Sequence, residues 1–305
     1  MTTIGKVAIS GASGLLGRSV YKTFKAKGWE VIGLAQSRAS NGLVKIDLTS
    51  EAEIKDFFNQ HKPDLFIHCA AVRHPEFAEN QKDVTYTMNV KVPEWLALEC
   101  KSHNSDLIYI STNYIFDGTE APYDTDSKVN PLNYYGSSKL QGEQIIHSTL
   151  PQAVSIRIPV LYGEVEYPGE SAVNGLISIV KNPTKPLSIN HHSTRTPTHV
   201  DEVSRSLKRI GEFLIKKTPN FPNILHISNA NVFTEYEICQ LIAKTLGVSI
   251  DHLEPELEWP KDAKIEEPED CIMNVDRTLA LGIDECNVGL EPWLTEHLKN
   301  NSDKY

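Results

Sequence analysis

The chain has 305 residues, of which 40% are hydrophobic and 23% charged, and its formal net charge is -10. That length and composition suit a globular protein with a substantial core, and the acidic balance argues against a nucleic-acid backbone as partner. No stretch approaches the ~20 apolar residues needed to cross a bilayer, so no membrane span is expected.

The opening "MTTIGKVAISGASG" lacks an apolar run long enough for a secretory signal. "KVAIS" reads as a first strand covered on both faces. It runs into "SGASGLLGRSV", where Gly11, Gly14 and Gly17 are spaced G-x-x-G-x-x-G between a strand and a helix. In that context one glycine permits the tight turn, one lets a pyrophosphate approach the backbone, and one lets helix pack on strand. The loop, with Ser13, and the helix start at Leu15 and Leu16 are predicted to hold the pyrophosphate of a dinucleotide. Free N–H groups at the helix N-terminus would receive it.

The second strand, "EVIGLA", leads to Gln36, Ser37 and Arg38. An NAD site usually carries Asp or Glu here for the ribose hydroxyls. Arg38, with no carboxylate at this turn to repel a phosphate, points instead to the 2′-phosphate of NADP. The plainer alternative is a solvated loop charge. "LVKID" is read as a third strand. Asp47 at its end, followed by Leu48, is placed to accept from the adenine amino group, or else to cap the helix in "LTSEAEI".

Helical spacing follows in "EAEIKDFFNQH", then a buried strand in "DLFIHCA", then a helix over "TMNVKVPEWLALECKSH". Arg73 and His74, just after "HCAAV", belong to a surface loop or reach a ligand. The strand "DLIYIST" ends in Ser111 and Thr112, at the carboxyl edge where open α/β sheets bind ligands. In "LNYYGSSKLQGE", Tyr135 and Lys139 stand one helical turn apart and share a face. A nearby ammonium favours tyrosinate, so Lys139 is expected to lower the Tyr135 pKa. Such a tyrosine can protonate a carbonyl oxygen as hydride arrives, with Thr112 holding the same oxygen.

After the strand "VSIRIPV" the rhythm loosens from Tyr162 to Thr198, with one apolar helix in "AVNGLISIVK". A helix is expected from Val200 to Lys216, and "NILHIS" is a strand that returns to the first sheet. "TEYEICQLIAKTLG" is an amphipathic helix with a capping box of Thr234 and Glu237 and a Gly247 terminator. The acidic "EPELEWPKDAKIEEPED" reads as surface loop. The expected class is α/β, a Rossmann-type doubly wound parallel sheet with a smaller C-terminal substrate-type region. Residues 1–162 would form the dinucleotide domain, with 200–230 returning to it, and 163–199 with 231–305 the smaller region. The cysteines Cys69, Cys100, Cys239, Cys271 and Cys286 are odd in number and form no close pairs. Neither a disulfide framework nor a zinc ribbon is expected, and a reducing cytoplasm is the simplest compartment. The group His191, His192, His199 and Arg195 lacks a carboxylate or thiol to complete a metal site, so no metal is expected.

The glycine loop, the hydroxyl at a strand end and Y-x-x-x-K together resemble the extended short-chain dehydrogenase/reductases. "STNYIFDGTEAPY" with "NPLNYYGSSKLQGE" is similar to the dTDP-4-dehydrorhamnose reductase branch. The resemblance implies a catalytic triad of Thr112, Tyr135 and Lys139, with Lys139 also on the nicotinamide ribose. It implies that Ala70 and Ala71 of "HCAA" border the cofactor and that Asn89 is a structural asparagine of the active-site region. Arg73, where it reaches a ligand, and Pro159 are also counted among the expected cofactor residues. Within that branch, "HCAAVRHPEFAENQ", "IRIPVLYGEVE" and "RTPTHVDEV" resemble the regulatory beta subunits of methionine adenosyltransferase. That resemblance implies an NADP-binding regulatory subunit that assembles with the catalytic subunit and modulates S-adenosylmethionine synthesis, its triad kept but not turning over substrate. The alternative is an NADP-dependent reductase of a 4-keto sugar nucleotide. One segment departs from both. Glu266, Glu267, Glu269 and Asp270 surround Pro268 where the branch tends to carry basic residues. Facing a pocket, these carboxylates would repel a sugar-nucleotide pyrophosphate.

Overall fold

Seven short strands, most of them continuous apolar runs, form the central sheet of the computed structural model, which describes residues 3–39, 42–183, 186–260, 263–301 and 304–305. They are β1 (Lys6–Ser10), β2 (Glu30–Ala35), β3 (Val44–Lys45), β4 (Leu65–His68), β5 (Asp106–Thr112), β6 (Val154–Ile158) and, far along the chain, β10 (Ile224–His226). The order is β10-β6-β5-β4-β1-β2-β3, and every neighbouring pair is parallel. Strand order reverses between β1 and β4, which opens a crevice at their carboxyl ends. "NILHIS" does return to this sheet, beside β6. "LVKID" contributes only Val44 and Lys45, paired with the end of β2.

Helices α1 (Leu15–Lys25) and α8 (Val200–Ile215) cover one face. Their Leu16, Val20, Phe24, Val203, Leu207 and Ile210 join Ile9, Ile67 and Ile156 in one core. A polar seam also ties them: Ser19 Oγ lies 2.6 Å from Asp201 Oδ1 and 2.9 Å from Ser204 Oγ. The other face carries α2 (Glu51–His61), α5 (Val92–His103) and α6 (Tyr134–Thr149), through Phe58, Leu96 and Ile146. Between them run α3 (Pro75–Asn80) and α4 (Lys82–Tyr86).

The segment expected as one helix over "TMNVKVPEWLALECKSH" is interrupted. A π-helical turn at Thr87–Lys91 precedes α5, with Pro93 in the first turn of α5. Such wide turns often mark functional regions. Here it aims Asn89, whose Oδ1 accepts from Val72 N at 2.9 Å while Nδ2 donates to Val72 O at 2.9 Å and Ser138 Oγ at 3.0 Å. Asn89 thus pins the loop after β4 to α6.

A third core gathers Tyr162 with α7 (Ala172–Lys181), α9 (Glu235–Leu246) and α11 (Leu290–Asn301). Two-residue strands β7 (Leu161–Tyr162) and β9 (Thr198–His199) pair beside it, as do β8 (Leu187–Asn190) and β11 (Leu253–Glu256). The short α10 (Asp276–Leu279) precedes α11. The capping box of Thr234 and Glu237 forms, and Gly247 ends α9 at φ 68°. The acidic stretch is not loop throughout. Buried Leu253 anchors β11, so Glu254–Glu256 pair with β8 as an edge strand that tolerates Pro255.

Candidate dinucleotide and carbonyl site

At the crevice, Gly11 adopts φ +67° and a Cβ there would stand 2.9 Å from Ala70 N. A Cβ on Gly17 would stand 2.0 Å from Gly11 O. The turn therefore closes only with glycine at both positions. Gly14 is the N-cap of α1 and offers no side-chain cap, and the first turn, from Leu15, contains no acidic residue. Its N–H groups suit an anion. Ser10 Oγ fixes the loop opposite, accepting from Cys69 N at 3.1 Å and Ala70 N at 3.4 Å and bonding His68 Nδ1 at 2.7 Å. Ala70 and Ala71 are thereby held beside the glycine turn. These residues fit a dinucleotide pyrophosphate.

The structure brings Thr112, at the end of β5, into hydrogen-bond contact with Tyr135 of α6, with Lys139 one turn further along the same helix. Asn133 Oδ1 caps α6 by accepting from Gly136 N at 3.0 Å, which sets where Tyr135 points. The Tyr135 pKa is raised by burial, while a hydrogen bond with Thr112 and the charge of Arg73 pull it back. Lys139 is not what lowers it. The Lys139 ammonium is buried over the Tyr109 ring, 4.1 Å from its centroid. Burial pushes its pKa down to about 7, against the opposing charges of Glu143 and Cys69. The depression expected for Tyr135 thus falls on the lysine, since burial penalises whichever of the two carries charge. Burial also lowers His68 to about 3, with Lys139 adding to it, and raises the Cys69 thiol to about 12. Both are neutral near pH 7.

Lys139→Met is expected to stabilise the protein below pH 7, by about 1–3 kcal/mol. The sign follows from linkage. The folded pKa lies below the unfolded one, so the unfolded state binds more protons above about pH 7. The cost of burying the ammonium is complete below pH 7 and fades as pH rises toward the unfolded value. Urea unfolding at pH 6 and pH 9 should show the gain shrinking at the higher pH. An equal or larger gain at pH 9 would refute a strained ammonium.

The other expected site residues are placed as follows. Gln36 and Ser37 are exposed beyond β2, and Pro159 follows β6 buried. Asp47 does not cap α2. Its Oδ1 accepts from Thr49 N at 2.9 Å and Thr49 Oγ1 at 2.7 Å, while Ser50 is the N-cap. The Leu48 side chain is in the core. Arg38 has carboxylates against it after all. They come from the segment Glu164–Glu170, which crosses from the far half of the chain. Arg38 pairs with Glu166, and its Nη2 lies 3.4 Å from Glu170 Oε1. Arg18 holds Glu170 bidentately at 2.7 and 2.6 Å and also donates to Ser13 O and Glu164 O. Arg73 Nη2 donates to Gly169 O at 3.3 Å. Sequence reasoning missed this strap, although "GEVEYPGE" places three carboxylates within seven residues.

Of the acidic group around Pro268, one member turns inward. Glu267 Oε2 accepts from Tyr114 OH at 2.8 Å and Arg195 Nη2 at 3.0 Å, and the Tyr114 ring stands edge-on to Tyr135 at 5.9 Å. Glu266 and Glu269 are exposed, and Asp270 Oδ1 accepts from Ile272 N. Arg195 is buried, its Nη1 donating to Thr194 O and Pro268 O. The histidines serve local structure. His191 bonds Thr234, His192 bonds Glu256 O, and His199 Nδ1 caps α8. Among the described residues, no group of three or more His, Cys, Asp or Glu is placed to hold a metal.

Residues 5–296 match the RmlD substrate binding domain family. A methionine adenosyltransferase 2 subunit beta from Xenopus laevis is 38% identical over 258 residues, covering 85% of this chain and 77% of that protein. The chain belongs to this family. The Danio rerio subunit of the same name is 36% identical, covering 92% of this chain and 86% of its own. Among solved structures, a dTDP-4-dehydrorhamnose reductase from Clostridium acetobutylicum superposes with a TM-score of 0.80 at 26% identity, covering 96% of this chain and 98% of that one. Another from Bacillus anthracis, solved in complex with NADP, has a TM-score of 0.81 at 22% identity, covers 99% of each chain, and shares the fold. This beta-subunit relative therefore has a reductase-type architecture. Among its described residues no helix is long and apolar enough to cross a membrane.

Proposed function

We propose that this chain is an NADP-binding regulatory subunit that assembles with the methionine adenosyltransferase catalytic subunit and modulates S-adenosylmethionine synthesis. The observation that carries the reading is the pairing of Arg195 with Glu267 against Tyr114, whose ring stands edge-on to Tyr135. A reductase of sugar nucleotides needs cations for a pyrophosphate at this mouth, and here the buried guanidinium is neutralised by a carboxylate of the chain itself. The relatives, similar over most of the chain, support the same reading. The glycine loop, with Ser13, Ala70 and Ala71, would hold the cofactor's pyrophosphate, Arg38 its 2′-phosphate and Lys139 its nicotinamide ribose. Five free cysteines suit a reducing cytoplasm. We divide the chain functionally at Tyr162, with 200–230 returning to the dinucleotide domain.

The second reading, an NADP-dependent reductase of a 4-keto sugar nucleotide, is favoured by the intact Thr112–Tyr135 contact. In it the cofactor supplies hydride, Tyr135 gives the proton and Thr112 holds the carbonyl oxygen. Light-scattering chromatography with the catalytic subunit, with and without NADP, separates the two. A mixed complex is expected, and Tyr135→Phe should leave it and its effect on synthesis intact. Separate peaks under both conditions, with NADPH consumption abolished by Tyr135→Phe, would replace the first reading by the second.

A further inference from the structure

We propose that Glu166 sets how strongly this chain prefers NADP over NAD, because its carboxylate holds the Arg38 guanidinium that a 2′-phosphate would take. The inference rests on the reading of the crevice as a dinucleotide site.

The strap is anchored at one point and loose at another. Glu170 is only 3% exposed. It accepts from both Arg18 Nη groups and from Glu166 N at 2.9 Å, which locks the strap to the first turn of α1. Glu166 is half exposed and reaches outward, pairing with Arg38 and lying 3.6 Å from Arg18 Nη1. Tyr167 stands beneath the same guanidinium, 5.8 Å from its ring centroid, so Arg38 is held from below while its charge is met by Glu166. Arg38 follows β2, where the ribose of a dinucleotide on the glycine loop would lie. A 2′-phosphate arriving there meets Arg38 already paired and a like charge beside it. It binds only by displacing the Glu166 carboxylate. Glu170 cannot swing away with it, because it is buried on Arg18. NAD has no group that competes for Arg38, so its binding is indifferent to the exchange. Glu166 is thereby a specificity-determining residue that acts against the phosphate, in opposition to Arg38.

Calorimetric titration of the full chain with NADP and with NAD, for wild type, Glu166→Gln and Arg38→Ala, tests this. Glu166→Gln is expected to tighten NADP about tenfold, equal to about 1.4 kcal/mol, and to leave NAD within about twofold. Arg38→Ala is expected to remove the preference for NADP. The glutamine is nearly isosteric on a solvated side chain, and an unchanged thermal midpoint will verify the fold. Unchanged or weaker NADP binding by Glu166→Gln, with wild type binding NADP, overturns the proposal and leaves the dinucleotide site standing. Arg38→Ala with its preference intact also overturns it, since Arg38 would then not meet the phosphate. Absence of binding of either dinucleotide to every variant refutes the dinucleotide reading itself, and this proposal with it.

Discussion

Arg157→Met is expected to destabilise the protein by about 3–5 kcal/mol. Arg157 lies on β6 beneath the site, its side chain almost wholly buried. Its Nη2 donates to Glu143 Oε1 at 2.6 Å, its Nε to Oε2 at 3.3 Å and its Nη1 to Thr125 O at 2.9 Å. Glu143 is one turn beyond Lys139 on α6 and is as deeply buried as Arg157. Removing the guanidinium strands a carboxylate in a dry interior, where desolvation is no longer offset. Glu143→Gln in the same background should recover part of the deficit. Urea denaturation of both variants measures the loss and the recovery. A deficit below about 1 kcal/mol would mean that water reaches the pair.

The second large effect is expected at Gly17. A Cβ at this position meets Gly11 O at 2.0 Å, Gly11 C at 2.7 Å and Ala12 Cα at 2.9 Å, all main chain. None can move without opening the turn. Gly17→Val should therefore destabilise by at least about 3 kcal/mol and reduce dinucleotide binding below detection. Gly14 differs, since a Cβ there meets only Gly11 O, at 3.3 Å. Gly14→Ala should fold with a loss of about 1 kcal/mol or less while weakening the cofactor, because its methyl stands where the pyrophosphate approaches. Thermal unfolding and NADPH fluorescence titration distinguish the two. Equal unfolding midpoints would show that the glycines serve the ligand and not the turn.

The parallel sheet was legible because its strands are buried on both faces and so carry their signal as unbroken apolar runs. Even "NILHIS", distant in sequence, could be returned to the sheet on that ground. The placement of Tyr135 and Lys139 on one helix was legible because helical spacing is a local property. The direction of the proton balance was not. It depends on how much water reaches each group, and the whole fold decides that. The strap was missed for a related reason. Arg38 and Glu166 lie 128 residues apart, and nothing in either neighbourhood indicates the other. The inward turn of Glu267, alone among its acidic neighbours, likewise depends on Tyr114 and Arg195 meeting it from elsewhere in the chain. The π-helical turn at Thr87–Lys91 left no periodic trace because the apolar spacing resumes on its far side.

The seam between α1 and α8 bears on how the chain is made. A ribosome delivers the glycine loop first and β10 last, with the strap and α8 between them. Until α8 emerges, Leu16, Val20 and Phe24 of α1 have no Val203, Leu207 or Ile210 to cover them, and until the segment near His226 follows, β6 is an open sheet edge. A nascent chain halted at Tyr162 thus exposes both an unpaired strand and an apolar helix face, the two surfaces that chaperones bind and aggregates grow from. Slow translation through residues 163–226 would prolong that exposure, so synonymous codon choice there should affect yield more than the same change after Ser228.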